Sequence, residues 1–133
     1  MSSLNLVKQF HEKFGHPVKD RPDLTDTKLN ALRVNLIEEE LNELVAALED
    51  GDKVATLDAL TDLQYVLDGA YLALGFRKVK QTAINEVHSS NMSKLGCDGN
   101  PIYREDGKIL KGIYYFEPDI EGIIKRLEDQ NEC

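Results

Sequence analysis

Glu38-Glu39-Glu40-Leu41-Asn42-Glu43, answered a short turn later by Asp58-Ala59-Leu60-Thr61-Asp62, is the stretch on which the reading of this chain turns. Both segments lie in strongly helical sequence. The first belongs to a helix that starts near Thr25 or Asp26, either of which can cap it, and runs to about Asp50, where Gly51 ends it. At 100° per residue, Val34, Ile37, Leu41, Leu44, Val45 and Leu48 make one broad apolar face. A second row runs Leu32, Leu36, Glu40, Glu43, Ala47, with Glu39 on its margin and Glu38 on the water side. Glu40 and Glu43 thus interrupt a stripe whose other members favour burial.

The following helix is capped by Asp52 and reaches about Leu74, with Gly75 as its stop. Leu60, Leu63, Val66, Leu67, Ala70, Tyr71 and Leu74 fill one side, and Leu57 and Leu72 widen it until little but Thr61, Gln64 and Asp68 is left for water. A helix this apolar is central. The link Glu49-Asp50-Gly51-Asp52 is short, so the two helices should form an antiparallel hairpin. Counted from that turn, Glu40 and Glu43 come level with Asp58 and Asp62.

Outward from this core, Leu4 to Phe14 has helical spacing, with Ser2 or Ser3 as cap and Gly15 as stop. Pro17 and Pro22 make the next segment a loop. A fourth helix is expected from Arg77 or Lys78 to Met92, with Val79, Ala83, Val87 and Met92 inward. Beyond it, Pro101 to Glu105 and Lys108 to Lys111 flank Asp106-Gly107, which reads as a two-residue hairpin turn. Asp119 caps a last helix with Ile120, Ile123, Ile124 and Leu127 inward. The fold class is therefore all-α: a helical-hairpin core of four-helix-bundle type after oligomerisation, a small C-terminal β-hairpin and a last short helix. The expected organisation is a single domain over 1–133, with a helical core at 1–94 and the hairpin and last helix at 95–133.

The 133 residues are enough to bury a sizeable core without staples. Cys97 and Cys133 have neither zinc-site nor disulfide-framework spacing and read as free thiols of a reducing compartment. No leader-like or membrane-spanning run is evident, so a soluble cytoplasmic protein without membrane contact is expected. A formal charge of −8 argues against nucleic acid as a partner, because phosphate contacts need clustered Lys and Arg. It leaves room for a small polyphosphate if a divalent cation reverses the local sign.

Four level carboxylates in a partly apolar groove repel one another and resist desolvation, so their pKa values should rise unless a cation compensates. Mg²⁺ takes oxygen ligands and commonly shares its remaining positions with substrate phosphates. A spare carboxylate beside it can deprotonate water for attack on phosphorus, and Glu39 is placed for that. Acidic runs on helices are also ordinary solvated faces, and spacing alone leaves both readings open.

Glu39-Glu40-Leu41-Asn42-Glu43 followed by an acidic pair on the next helix resembles the all-α nucleoside triphosphate pyrophosphohydrolases, the superfamily of MazG, dimeric dUTPases and phosphoribosyl-ATP pyrophosphohydrolase. Their pattern is Glu-Glu-x-x-Glu and then Glu-x-x-Asp. Phe10 to Gly15, Asp58 to Val66, Glu86 to Lys94 and Arg104 to Lys108 with Lys111-Gly112 are similar to one MazG-like branch, so the likeness covers nearly the whole chain. It implies hydrolysis of a nucleoside triphosphate to the monophosphate and pyrophosphate with Mg²⁺, or Mn²⁺ as a substitute. It places Glu40, Glu43 and Asp62 on metal ligands and Glu39 on the residue that holds or activates water. One departure stands: Ala59 occupies the place of a pattern Glu, and the acid is one residue earlier, at Asp58, which on the same helix face is the fourth metal candidate.

Asn91 and Lys94 suit contacts to sugar or phosphate, and are equally natural as a polar helix end. His11 can meet the base from the first helix, though a lone His between Phe10 and Phe14 is more often structural. Arg104 and Lys111 gather positive charge suited to a triphosphate, and alternating charges also solubilise exposed hairpins. The apolar breadth of the two central helices calls for association as a homodimer or tetramer. A non-catalytic helical module that binds nucleotide or protein stays open. A di-metal carboxylate redox protein lacks its usual Glu-x-x-His pairs here.

Overall fold

The computed structural model describes residues 1–130, so Cys133 lies outside the described residues, whereas Cys97 is a free, exposed thiol. The elements are α1 (Ser3–Phe14), α2 (Thr27–Glu49), α3 (Lys53–Leu74), a 3₁₀ turn (Arg77–Val79), α4 (Lys80–Met92), β1 (Ile102–Tyr103), β2 (Ile109–Leu110) and α5 (Ile120–Gln130). The chain divides into two compact units, Met1–Lys78 and the part from Val79 onward.

In the first unit α2 and α3 form the expected antiparallel hairpin, and α1 packs on α3. Each helix starts on a side chain that accepts an otherwise unpaired backbone N–H. Ser2 accepts from Asn5, Asp26 from Leu29 and Asp52 from Ala55. Gly15 and Gly75 close α1 and α3 in the left-handed region, at φ 73° and 90°. The two-proline loop is tied to the end of α3, since the N–H groups of Lys19 and Asp23 donate to the carbonyls of Leu72 and Leu74 at 2.9 and 3.1 Å. Those carbonyls belong to the last turn of the helix, where no intrahelical donor remains.

The core sits between α1 and the C-terminal half of α3, around Val7, Leu72 and Ala73, with Ala47 and Ala59 sealing the α2–α3 contact. The row of α2 that turns inward is Arg33, Leu36, Glu40 and Ala47, whereas Val34, Leu41, Val45 and Leu48 of the broad apolar face are exposed on the single chain. Asp68, expected on the watery side of α3, is instead fully buried at 0% exposure and accepts a 3.2 Å hydrogen bond from Gln64. Helical periodicity assigns the water side poorly when a helix is apolar almost all round.

In the second unit α4 packs on α5 through the buried Ile123 and Leu127. The buried Ser90 hydroxyl donates to the Phe116 carbonyl at 2.8 Å, and the Asp119 N–H donates to Glu86 at 3.2 Å. Val87 and Met92 of α4 are exposed, against the expectation that they point inward. The hairpin pairs Ile102 with Leu110 and Tyr103 with Ile109. Its connection is longer than the two residues expected. The Gly107 N–H bonds back to the Arg104 carbonyl at 2.9 Å and the Arg104 N–H donates to the Lys108 carbonyl at 2.8 Å, which leaves Glu105, Asp106 and Gly107 as a three-residue loop. Gly107, at φ 87°, supplies the left-handed residue that such loops require.

Candidate functional site

Glu40 and Glu43 lie three apart on α2, and Asp62 faces them from α3, so the hairpin register converts sequence spacing into proximity. One carboxylate oxygen from each of Glu40, Glu43 and Asp62 lies within 4.8 Å of the others. Glu40 Oε2 is buried and has no hydrogen-bond partner.

The charges respond as crowded carboxylates should. Burial, then the charge of Glu43 and a hydrogen bond with it, then Asp62 and Asp58, hold the Glu40 carboxyl above its ordinary range. Burial, followed by Asp58 and Glu43, does the same for Asp62. Asp58 is thus close enough to act on both, yet it is exposed and stands outside the three-oxygen group. Glu39 is exposed, one residue round the helix from Glu40 and also outside that group.

This donor set suits a hard divalent cation. Oxygen-only ligands, mutual repulsion and an orphaned buried oxygen are all relieved by one positive charge, whereas soft metals would ask for sulfur or imidazole.

Beside the cluster lies a cavity of about 360 Å³ that shares Glu40 and Asp62 with it and is otherwise walled by α1, the loop after it, α2 and α3. His11 lines this cavity from α1. It is buried, and its Nδ1 donates to the Pro17 carbonyl at 2.8 Å. Burial first, then Arg33 and His16, lower its pKa against the opposing effect of Pro17.

Sequence reasoning missed Arg33 and His16. Arg33 is 4% exposed, and its Nη2 donates to His16 Nδ1 at 3.3 Å. Its position seven residues before Glu40 on the same inward row was the available signal.

The remaining candidates belong to the second unit. Asn91 is exposed at the end of α4, and the Lys94 N–H donates to its carbonyl at 3.2 Å. Arg104 is engaged by Asp106 within the hairpin loop through Nε at 2.9 Å and through Nη2. Lys111 Nζ lies 4.6 Å over the Tyr115 ring.

Comparison with known proteins gives the chain a family. A protein of Acanthamoeba polyphaga mimivirus, uncharacterized protein L479, is 26% identical over 137 residues, covering 99% of this chain and 51% of that protein. The chain therefore spans about half the length of that relative. A solved structure from Exiguobacterium sp. 255-15, provisionally assigned as an NTP pyrophosphohydrolase, is 22% identical over 98% of both chains, with a TM-score of 0.35 that gives the likeness no further weight. The family profile for phosphoribosyl-ATP pyrophosphohydrolase matches residues 7–91, a span that takes in α2, α3, all four acids of the hairpin and the cavity beside them. The chain belongs to the phosphoribosyl-ATP pyrophosphohydrolase family, within the all-α NTP pyrophosphohydrolase superfamily.

Proposed function

We propose that the protein is a Mg²⁺-dependent nucleoside triphosphate pyrophosphohydrolase that releases a nucleoside monophosphate and pyrophosphate, serving nucleotide-pool control. The observation that carries this is the convergence of Glu40, Glu43 and Asp62 around a buried, unpartnered carboxylate oxygen. These three residues would hold the cation, with Asp58 adding charge from one turn away. When bound, a divalent cation offsets the clustered negative charge and that of a polyphosphate, and makes phosphorus more electrophilic.

Glu39, exposed beside the cluster, accepts the proton of the attacking water. As the water oxygen bonds to phosphorus, the bond to the bridging oxygen breaks. Its electron pair leaves with that oxygen, on pyrophosphate when the α-phosphorus is attacked. His11 serves the base end of the substrate. Asn91, Lys94, Arg104 and Lys111 are assigned to its sugar and phosphates, with Arg104 and Lys111 exchanging their local partners for phosphate oxygens. We assign the acting form to a homodimer or tetramer of the single 1–133 domain, located in the cytoplasm.

The test is pyrophosphate release from a panel of ribo- and deoxynucleoside triphosphates, with Mg²⁺ or with EDTA. Release that depends on Mg²⁺ or Mn²⁺ is expected, and its absence with every nucleotide sinks the proposal.

A further inference from the structure

The cavity beside the acidic cluster has a polar end at Glu40 and Asp62 and an otherwise largely apolar wall. Phe10 and Tyr65 meet edge to face in that wall, with ring centroids 5.8 Å apart. Such a wall suits a flat heterocycle and is ill suited to a polyphosphate.

Two polar groups, Arg33 and His11, line it, and the first lacks a partner that its burial calls for. Arg33 is 96% buried by virtue of its 4% exposure, has no carboxylate partner among the described residues, and keeps Nε buried without any hydrogen bond. A buried guanidinium normally has an acceptor for each donor it hides, and of its two terminal nitrogens Nη2 is taken by His16 while Nη1 faces Gly69, placed to donate to an oxygen from a ligand. His11 is fixed in one tautomer because Nδ1 donates to Pro17, which leaves Nε2 as a lone-pair acceptor in the neutral ring. Burial favours that neutral ring.

The two groups converge. Arg33 Nη1 and His11 Nε2 lie 2.8 and 3.2 Å from the point where a side chain at Gly69 would begin, and the missing Cβ is what lets them come together.

We infer that this cavity reads the lactam edge of a nucleobase, with Arg33 donating to the ring carbonyl and His11 Nε2 accepting from the adjacent ring N–H. Uracil, hypoxanthine and guanine carry that edge. Cytosine and adenine present an amino group where Arg33 offers only donors, and a ring lone pair where His11 offers another, so both contacts become repulsive. The inference rests on the nucleotide-hydrolase reading and names the substrate class within it. Gly69 acts as a positioning residue.

The experiment compares dUTP with dCTP and dITP with dATP, pairs that differ at this edge, by pyrophosphate release in Mg²⁺. A kcat/KM advantage of at least about tenfold is expected for the lactam member, since buried groups left unpaired discriminate strongly. Arg33→Met should bring each ratio to within about twofold of unity. Gly69→Ala, which displaces the guanidinium without deleting it, should reduce the ratio in the same direction. A second arm measures calorimetric binding of dUMP and dCMP to the wild-type protein in EDTA, where no hydrolysis is involved. Preferential dUMP binding without pyrophosphate release from any triphosphate would remove the hydrolase reading and leave the base assignment standing. Equal treatment of the two members, a preference for the amino base, or a lactam preference that survives both substitutions would overturn the assignment.

Discussion

At the scale of single residues, Glu40 is the side chain on which the metal-free fold and the proposed chemistry pull in opposite directions. Its carboxyl is held above the ordinary range by burial and by Glu43, Asp62 and Asp58. A carboxyl that binds its proton more tightly folded than unfolded contributes fully only while protonated. The metal-free protein should therefore lose stability as pH rises from the ordinary carboxylate value through the raised one. Glu40→Gln removes the part of that dependence that Glu40 contributes and leaves the part due to Asp62. In EDTA at neutral pH its melting temperature is expected to equal or exceed the wild type's, while added Mg²⁺ raises the wild-type value and leaves the variant unmoved. Turnover is lost in the variant. Unfolding of Glu40→Gln in EDTA would make the residue structural instead.

His11 has the opposite sign. Its lowered pKa means that the unfolded chain takes up the proton first, so stability should fall as pH drops below about 6.5 toward the folded value. His11→Leu, read by melts across the same range in EDTA, should flatten that slope. A slope unchanged in the variant would place the titrating group elsewhere.

At the scale of elements, two glycines with the same backbone sign do different things. Gly51, at φ 64°, turns α2 into α3 with nothing within 4 Å of where a Cβ would stand. Gly51→Ala should cost about 1 kcal/mol, the strain of the left-handed conformation alone. Gly75, at φ 90°, lies against the loop, and a Cβ there would fall 1.8 Å from the Arg21 carbonyl oxygen. Gly75→Ala must also displace the loop whose N–H groups cap the end of α3, and its cost should exceed that of Gly51→Ala by about 2 kcal/mol. Urea unfolding of the two variants in parallel checks the ordering.

These elements also show what the sequence could reveal. The caps Asp26 and Asp52 and the stops Gly51 and Gly75 are local signals, set by backbone groups that only nearby residues can satisfy, and each was legible. The levelling of Glu40, Glu43 and Asp62 followed from a short turn and helical geometry. Arg33, Asp68 and Gly69 were not legible in the same way. Periodicity could put Arg33 on the inward row of Glu40, but the roles of all three depend on what α1 and its loop bring across from elsewhere in the chain, which no pattern within one helix records. The hairpin loop was misjudged by one residue because Asp-Gly serves two-residue and three-residue turns alike.

At the scale of the molecule, the row of α2 that holds Glu40 is covered within the chain, but the neighbouring face is not. Val34, Leu41, Val45 and Leu48 are exposed on α2, and so are Val54, Leu57 and Leu60 on the adjoining stretch of α3. Exposed apolar side chains on both members of a helical hairpin are the kind of surface that marks an interaction face. A second copy presenting the same face would complete the four-helix arrangement, with the isologous contact that twofold symmetry requires. Sedimentation velocity at micromolar concentration should therefore return a mass of two or four chains, with a melting temperature that rises with protein concentration. Val45→Asp places an unpaired charge on that face without touching the inward row, and should shift the distribution to the single chain. Because Leu41 lies between Glu40 and Glu43, the same dissociation should weaken the Mg²⁺-induced rise in melting temperature if the paired face steadies the acidic cluster. A wild-type protein that sediments as one chain at every concentration would count against the dimer and the tetramer alike.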